Sequence, residues 1–356
     1  MAVTETELAD AIIRHAFELQ QLSAGEEARA DLILRELELD LRSLLASRNI
    51  SASGKREIEA LIKESQRAIA GRYINIAGVV DVDAIVQHVA ERTVAAIETA
   101  VPSLTFGPPS VETLRSLAKS ILIDGAPSAA WWAKQSDDMA FRFAGIVRRG
   151  RLNNETNEQI VRKVVGDDAL SGIARRKVVG DDALSGIARR NARALVHSSV
   201  MTAANQARLA VYGKAFRNGF RWLATLDSNT CLTCSVLDGK EWGQDGKPVR
   251  HSQEMRMPPA HMNCRCVASP RPISFNEKYG VVGADEAMAR VGGRPSSSGE
   301  QKSGTTFDDF LKRQSPAWVN EWMGERRAAK YLAGKITLTD LVTKSGRQRT
   351  LAELTQ

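Results

Sequence analysis

The chain has 356 residues, 43% of them hydrophobic and 26% charged, with aromatic residues at only 5%. That is an ordinary balance for a globular protein of about two domains, and it favours helices over a large β-sandwich. The net charge is +7 and the pI ≈ 9.3, which suits an acidic partner or nearby DNA but equally a mixed, solvated surface. No run approaches the roughly 20 apolar residues of a membrane span, and the start MAVTETELAD lacks the apolar core of a secretory signal. Synthesis in a reducing cytosol is the expectation, and a disulfide framework is disfavoured there.

Residues 4–48 read as helix, with Ile12, Phe17, Leu19 and Leu22, then Ile33, Leu37, Leu41 and Leu44, at helical spacing. Thr4 and Glu7 have capping-box spacing, as do Ser23 and Glu26, which predicts a break near SAGEE. Further helices are expected at 55–71 and 82–100. Pro102 and FGPPS punctuate the chain, Ser110 reads as an N-cap, and helices resume at 110–122 and 129–149. Residues 1–150 therefore form a helical arm or bundle.

Residues 151–217 read as a helical connector that contains an exact repeat. RKVVGDDALSGIAR occupies 162–175 and again 176–189. Two copies do not make a solenoid. Fourteen residues turn a helix by about 1400°, about 40° short of four turns, so an inserted copy nearly preserves the buried face of a helix. The repeat's glycines also allow a helix–turn–helix, and no chemical role is assigned to it. The helix expected at 190–216 carries an apolar stripe of Leu195, Val196, Val200, Ala203, Ala207 and Val211. His197 lies on it and reads as a packed or surface histidine rather than a ligand.

The texture changes after residue 217. FRWLATLD alternates like a strand, Asp238-Gly239 in SVLDGKEW signals a hairpin, and Asp245-Gly246 signals a further turn. Residues 218–270 are the one convincing β region. Residues 271–305 have linker composition, most clearly GGRPSSSGEQKSG at 292–304. A helical C-terminal tail, 306–356, opens with the capping-box pair Thr306 and Asp309 and carries Phe307, Phe310, Leu311, Trp318 and Trp322. RQRTLAEL reads as a final short helix. The fold class is α+β, predominantly α: a long helical N-terminal region, a small Cys/His-tied β-hairpin module, and a short helical tail.

The module holds all four cysteines of the protein: Cys231, Cys234, Cys264 and Cys266. Cys231 and Cys234 have C-x-x-C spacing, His261 and Cys264 are H-x-x-C, and Cys266 follows one residue further on. Two short ligand pairs on separate turns suit a structural, tetrahedral zinc site. Such an ion would brace a β module too small for a core of its own. Five candidate ligands compete for four places. Cys231, Cys234, His261 and Cys264 are favoured, with Cys266 spare; Cys264 and Cys266 together, with His261 outside the set, is the competing assignment. Disulfides and free thiols are the alternatives to a metal. A redox C-x-x-C is disfavoured, since no βαβ pattern surrounds it and no helix is evident at Cys231.

Catalytic signatures are missing: GxxxxGK[ST], HExxH and GxSxG do not occur. Enzyme activity therefore has no positive support. His251, His261 and Asn263 leave a zinc-supported nuclease as the alternative.

The stretch GFRWLATLDSNTCLTCSVLDGKEW, followed by PPAHMNCRC, resembles the signature of phage head morphogenesis proteins, the Mu F-like minor head proteins. The matching positions are Asp227, Thr230, Cys231, Cys234, Asp238, Gly239, Pro259, His261, Asn263, Cys264, Arg265 and Cys266. The resemblance covers roughly residues 150–270 and extends to the tail, while the first 150 residues agree only in being helical and the repeat departs from the pattern. It implies a low-copy minor head (capsid) protein of the virion, present in the host cytoplasm during assembly. The partners it implies are the phage portal and the major capsid or scaffolding protein, with packaged double-stranded DNA nearby. The implied role lies in head assembly or genome delivery.

Overall fold

A computed structural model describes residues 5–100, 107–166, 183–215, 219–271, 293–294, 296, 301–302 and 304–354. Among the described residues seven helices come first: α1 (Glu5–Ala46), α2 (Lys55–Ala77), α3 (Val82–Ala100), α4 (Val111–Ser120), α5 (Ser128–Leu152), α6 (Asn157–Val165) and α7 (Leu184–Ala215). A three-stranded antiparallel sheet follows, built from β1 (Phe220–Leu223), β2 (Glu241–Trp242) and β3 (Val267–Pro270) in the order β2-β1-β3, with helix α8 (Leu232–Leu237) between β1 and β2. The tail forms α9 (Phe307–Leu311), α10 (Pro316–Met323), α11 (Glu325–Leu332) and two 3₁₀ turns, Leu338–Leu341 and Ala352–Leu354. Predominantly α, with a small three-stranded sheet, is thus the observed class. No helix among the described residues is long and apolar enough to cross a membrane.

The chain divides into two compact units. The second comprises residues 21–81 and 122–200. In it, α1 buries Ala30, Leu34, Leu37, Leu41 and Leu45, a stripe at spacings of three and four. α2 and α5 pack through Ile62, Ile69 and Tyr73 of one and Trp132, Met139, Phe143 and Val147 of the other, with the Tyr73 and Trp132 rings 6.4 Å apart. Ion pairs tie helix to helix: Arg193 to the buried Asp31, Arg189 to Glu38, and Arg148 to Glu59. His197 is a packed residue, as its setting predicts, with Nδ1 3.1 Å from the Ser23 hydroxyl.

The expected break at SAGEE does not occur, and α1 runs through it. Ser23 is buried in mid-helix and donates to Glu27 one turn on, so its side chain caps nothing. Other local readings hold. Ser110 caps α4 by accepting from the Thr113 N–H at 3.2 Å, and Thr306 and Asp309 form a capping box at α9. Residues 167–182, most of the repeat, lie outside the described residues, as does most of 271–305. Within the latter, Gly293–Arg294 pairs antiparallel with Gln301–Lys302.

The first unit comprises residues 1–20, 82–121 and 201–356. Here the second half of α7 buries Ala203, Ala207 and Val211. β1 pairs with β2 so that Phe220 lies opposite Trp242 and Arg221 opposite Glu241. The first pair stacks with ring centroids 5.1 Å apart, and the second forms a 2.6 Å ion pair. Gly219 enters β1 at φ +96°, and a Cβ there would stand 1.9 Å from the Trp242 carbonyl oxygen, so only glycine fits. The Asp238-Gly239 dipeptide does turn the chain, but it follows helix α8 rather than a strand. Leu232, Thr233 and Val236 lie at helical spacing, and that period prevails over the hairpin signal. The tail shares one core with this module: Leu226, Leu232 and Val236 pack with Phe307, Phe310, Leu311, Val319 and Met323.

Candidate metal centre

The Cys/His cluster lies within the first unit. Cys231 is the N-cap of α8, and its sulfur accepts from the Cys234 N–H at 3.4 Å. A helix therefore does begin at Cys231, contrary to the expectation from sequence. That single turn brings the two sulfurs of C-x-x-C to one side. His261, Cys264 and Cys266 come from the loop that leads into β3, with Cys266 immediately before the first strand residue. Asn263, at φ +61°, makes the tight turn between them.

The donors gather as two triplets, Cys231–Cys234–His261 and Cys234–Cys264–Cys266, each with its ligand atoms within 4.8 Å of one another. Cys234 belongs to both. His261 Nε2 lies 3.2 Å from the sulfurs of Cys231 and Cys234, and Cys234 Sγ is 3.7 Å from Cys264 Sγ. No two sulfurs are bonded. A tetrahedral zinc with bonds of about 2.3 Å to sulfur and about 2.0 Å to nitrogen sets its ligands about 3.5–3.8 Å apart. The observed separations come close to that. Nδ1 of His261 is 2.7 Å from the Met262 carbonyl oxygen. A carbonyl only accepts, so Nδ1 carries a proton, and Nε2 is the nitrogen turned to the sulfurs. Histidine ligands are ordinarily oriented in this way.

Electrostatics follows the same geometry. Hydrogen bonds from Cys234 and then His261 hold the Cys231 thiol down at about 4, against burial. The bond to Cys231 raises His261 to about 9. Cys264 is held well below the usual thiol range, chiefly by its hydrogen bonds with Cys234 and Cys266. Cys234 is pushed up by the hydrogen bonds it shares with Cys231, Cys264 and Cys266. Cys266 is pushed up chiefly by burial. The cluster thus has thiolate character at both ends, which suits a cation. These Cys/His groups could hold a metal ion.

Three contacts hold the cluster in place. Arg265, between the two last cysteines, forms a bidentate pair with Asp227 at 2.6 and 2.6 Å, joining the same two loops that the cysteines join. Asn205 of α7, fully buried, donates to the Cys266 carbonyl oxygen at 3.2 Å and accepts from the Ala268 N–H at 3.0 Å, pairing with the strand as a neighbouring backbone would. Asp238 accepts from the Ala224 and Phe307 N–H groups, both at 2.7 Å, and so links the module to the tail. The sequence motif contains Asp227, Asp238 and Arg265; Asn205 lies in ARALVHSSVMTAANQAR, a helix similar to the Thr/Ala/Asn-rich one that leads into the module in the family that the motif resembles, but nothing in that stretch marks it out as a single residue.

Of the residues considered for a nuclease, His251 lies outside the donor cluster. His251 packs edge-on against Trp242 at 4.9 Å, with Nε2 2.7 Å from the Glu241 carbonyl oxygen and Nδ1 accepting from the Gln253 N–H. Both ring nitrogens are therefore committed to backbone, and His251 belongs to neither donor triplet.

No curated protein and no solved structure matches the chain. Residues 144–269 match the family model described as phage Mu protein F like protein, a span that ends in β3 and takes in every donor of the cluster. The chain is thus similar to the phage Mu protein F like family over just over a third of its length.

Proposed function

We propose that this protein is a structural minor head protein of a tailed bacteriophage. It acts in head morphogenesis at or near the portal and the packaged DNA, and has no catalytic role of its own. The observation that carries this reading is the family match over residues 144–269, which takes in a module whose chemistry is that of a clip. In this reading a zinc ion would be held by Cys231, Cys234, His261 and Cys264, with the buried Cys266 spare. The ion would supply cross-linking alone: four saturated protein ligands leave no open position for water or substrate. The chain's own residues fix α8 against the approach to β3, and the Asp227–Arg265 pair keeps that approach in register.

The portal and the capsid or scaffolding protein are the proposed partners, and the basic balance of the chain tolerates DNA close by. The test is fractionation of purified phage particles and procapsids. The protein is expected in both at low copy. Its absence from both would remove the virion role, and metal-dependent cleavage of DNA by the purified protein would replace it with the nuclease reading.

A further inference from the structure

The second unit carries a groove that its own core does not use. α5 buries one face through Trp132, Met139, Phe143 and Val147. Its outer face shows Phe141, Gly145, Arg148 and Leu152, at spacings of four, three and four, so these residues form one stripe along the helix. Phe141 is 80% exposed and Leu152 81%, the most exposed large apolar side chains among the described residues. The stripe is about 16 Å long, three turns of helix. Beside it, Ile146 of α5 with Leu184 and Ile187 from the start of α7 wall a cavity of about 340 Å³. Two helices thus border an open apolar trough.

Charge identifies the occupant. Arg142, Arg148 and Arg149 line the trough, and among the described residues no acidic side chain does. Glu59 already pairs with Arg148 through two bonds of 3.0 and 2.9 Å. The Arg149 guanidinium lies over Gly145, 3.4 Å from where a Cβ would stand. An apolar ligand covering these guanidinium groups would strip them of water without compensation. A ligand that brings carboxylates beside its apolar side chains meets both demands. Phosphodiester backbone brings the charge but has no face for Phe141 and Leu152. The straight, three-turn length fits a helix laid in a groove. We propose that the trough between α5 and α7 is the docking site for an acidic amphipathic helix of another protein. The proposal stands independently of the metal centre, which lies in the other unit.

The test uses the full-length protein and two fluorescein-labelled helical peptides. Both carry Leu at i, i+4 and i+7; one has Glu at the flanking positions and the other Lys. Fluorescence anisotropy is expected to show saturable binding of the Glu peptide and little of the Lys peptide. Phe141→Ala should weaken the Glu peptide about tenfold, the loss typical of an aromatic anchor. Arg142→Glu should reverse the preference between the peptides. Both substituted residues are surface positions, and unchanged thermal melting would confirm that the variants fold. Equal binding of the two peptides, no binding of either, or unaltered affinity in Phe141→Ala would overturn the proposal. So would a labelled DNA duplex binding in place of the Glu peptide and weakening in Arg142→Glu.

Discussion

Cys234 is the one donor common to both triplets of the cluster, so it serves in either ligand assignment, and Cys266 is the residue that tells them apart. With Cys231, Cys234, His261 and Cys264 as ligands, metal analysis of the wild type should give about one zinc per chain. Cys234→Ser should abolish it and Cys266→Ser should retain it; loss of zinc in Cys266→Ser would instead select the set that excludes His261. Arg208 of α7 poses a different question. It is fully buried, and among the described residues none of its guanidinium nitrogens has a hydrogen-bond partner, nor has the hydroxyl of the buried Tyr212 beside it. Burial lowers the Arg208 pKa, because the charged form is the one penalised. Arg208→Met keeps the side-chain length and removes the buried charge. It is expected to raise stability by about 1–4 kcal/mol in chemical denaturation. A fall in stability would mean that the guanidinium is satisfied in solution.

At the scale of elements, the repeat is used in an economical way. α6 ends on the head of the first copy, Arg162 to Val165, and α7 begins in the tail of the second copy at Leu184. The ends meet: the Ser185 hydroxyl donates to the Val165 carbonyl oxygen at 3.3 Å, and a Cβ on Gly166 would lie 3.6 Å from that of Ala183. Deleting residues 168–181 restores a single copy and makes Gly166 and Ala183 neighbours at i and i+3. That spacing is the span of a β-turn, and two aspartates would occupy its centre. The deletion variant is expected to keep its circular dichroism spectrum and to melt within a few degrees of the wild type. A large loss of helix would show that the extra copy supports the fold. Asn205 makes the opposite prediction. Asn205→Leu leaves the Cys266 carbonyl and the Ala268 N–H unpaired in the core, at a cost of about 2–4 kcal/mol by denaturant titration.

For the molecule as a whole, the tail and the Cys/His module act as one body. Trp322 donates to the Thr230 carbonyl oxygen at 2.7 Å, one residue before Cys231, and Thr233 donates to the Gly346 carbonyl oxygen at 3.1 Å. Truncation after residue 304 would bare Leu226, Leu232 and Val236, which share a core with the tail. The truncated protein is expected to aggregate or to lose bound metal, as read by light scattering and metal analysis. A soluble truncated chain that keeps its metal would mean the module folds alone.

The sequence by itself determined much of this. Helix periodicity placed most of the N-terminal elements, the Ser110 and Thr306 caps were legible from single residues, and spacing alone marked all five candidate donors. Local chemistry decides such features, so local reading recovers them. Other features depended on contacts between residues distant in sequence. Ser23 signals a cap, yet packing keeps α1 helical through it. SVLDGKEW signals a hairpin, yet Leu232 and Val236 turn inward to the tail's aromatic core and fold as a helix. Asn205 finds its role only when α7 lies along β3, and Cys234 becomes the shared donor only when two loops some thirty residues apart in the chain close on each other. Spacing names the candidate ligands; the tertiary fold decides which atoms meet, because the separations that matter to an ion are set by packing and not by order along the chain.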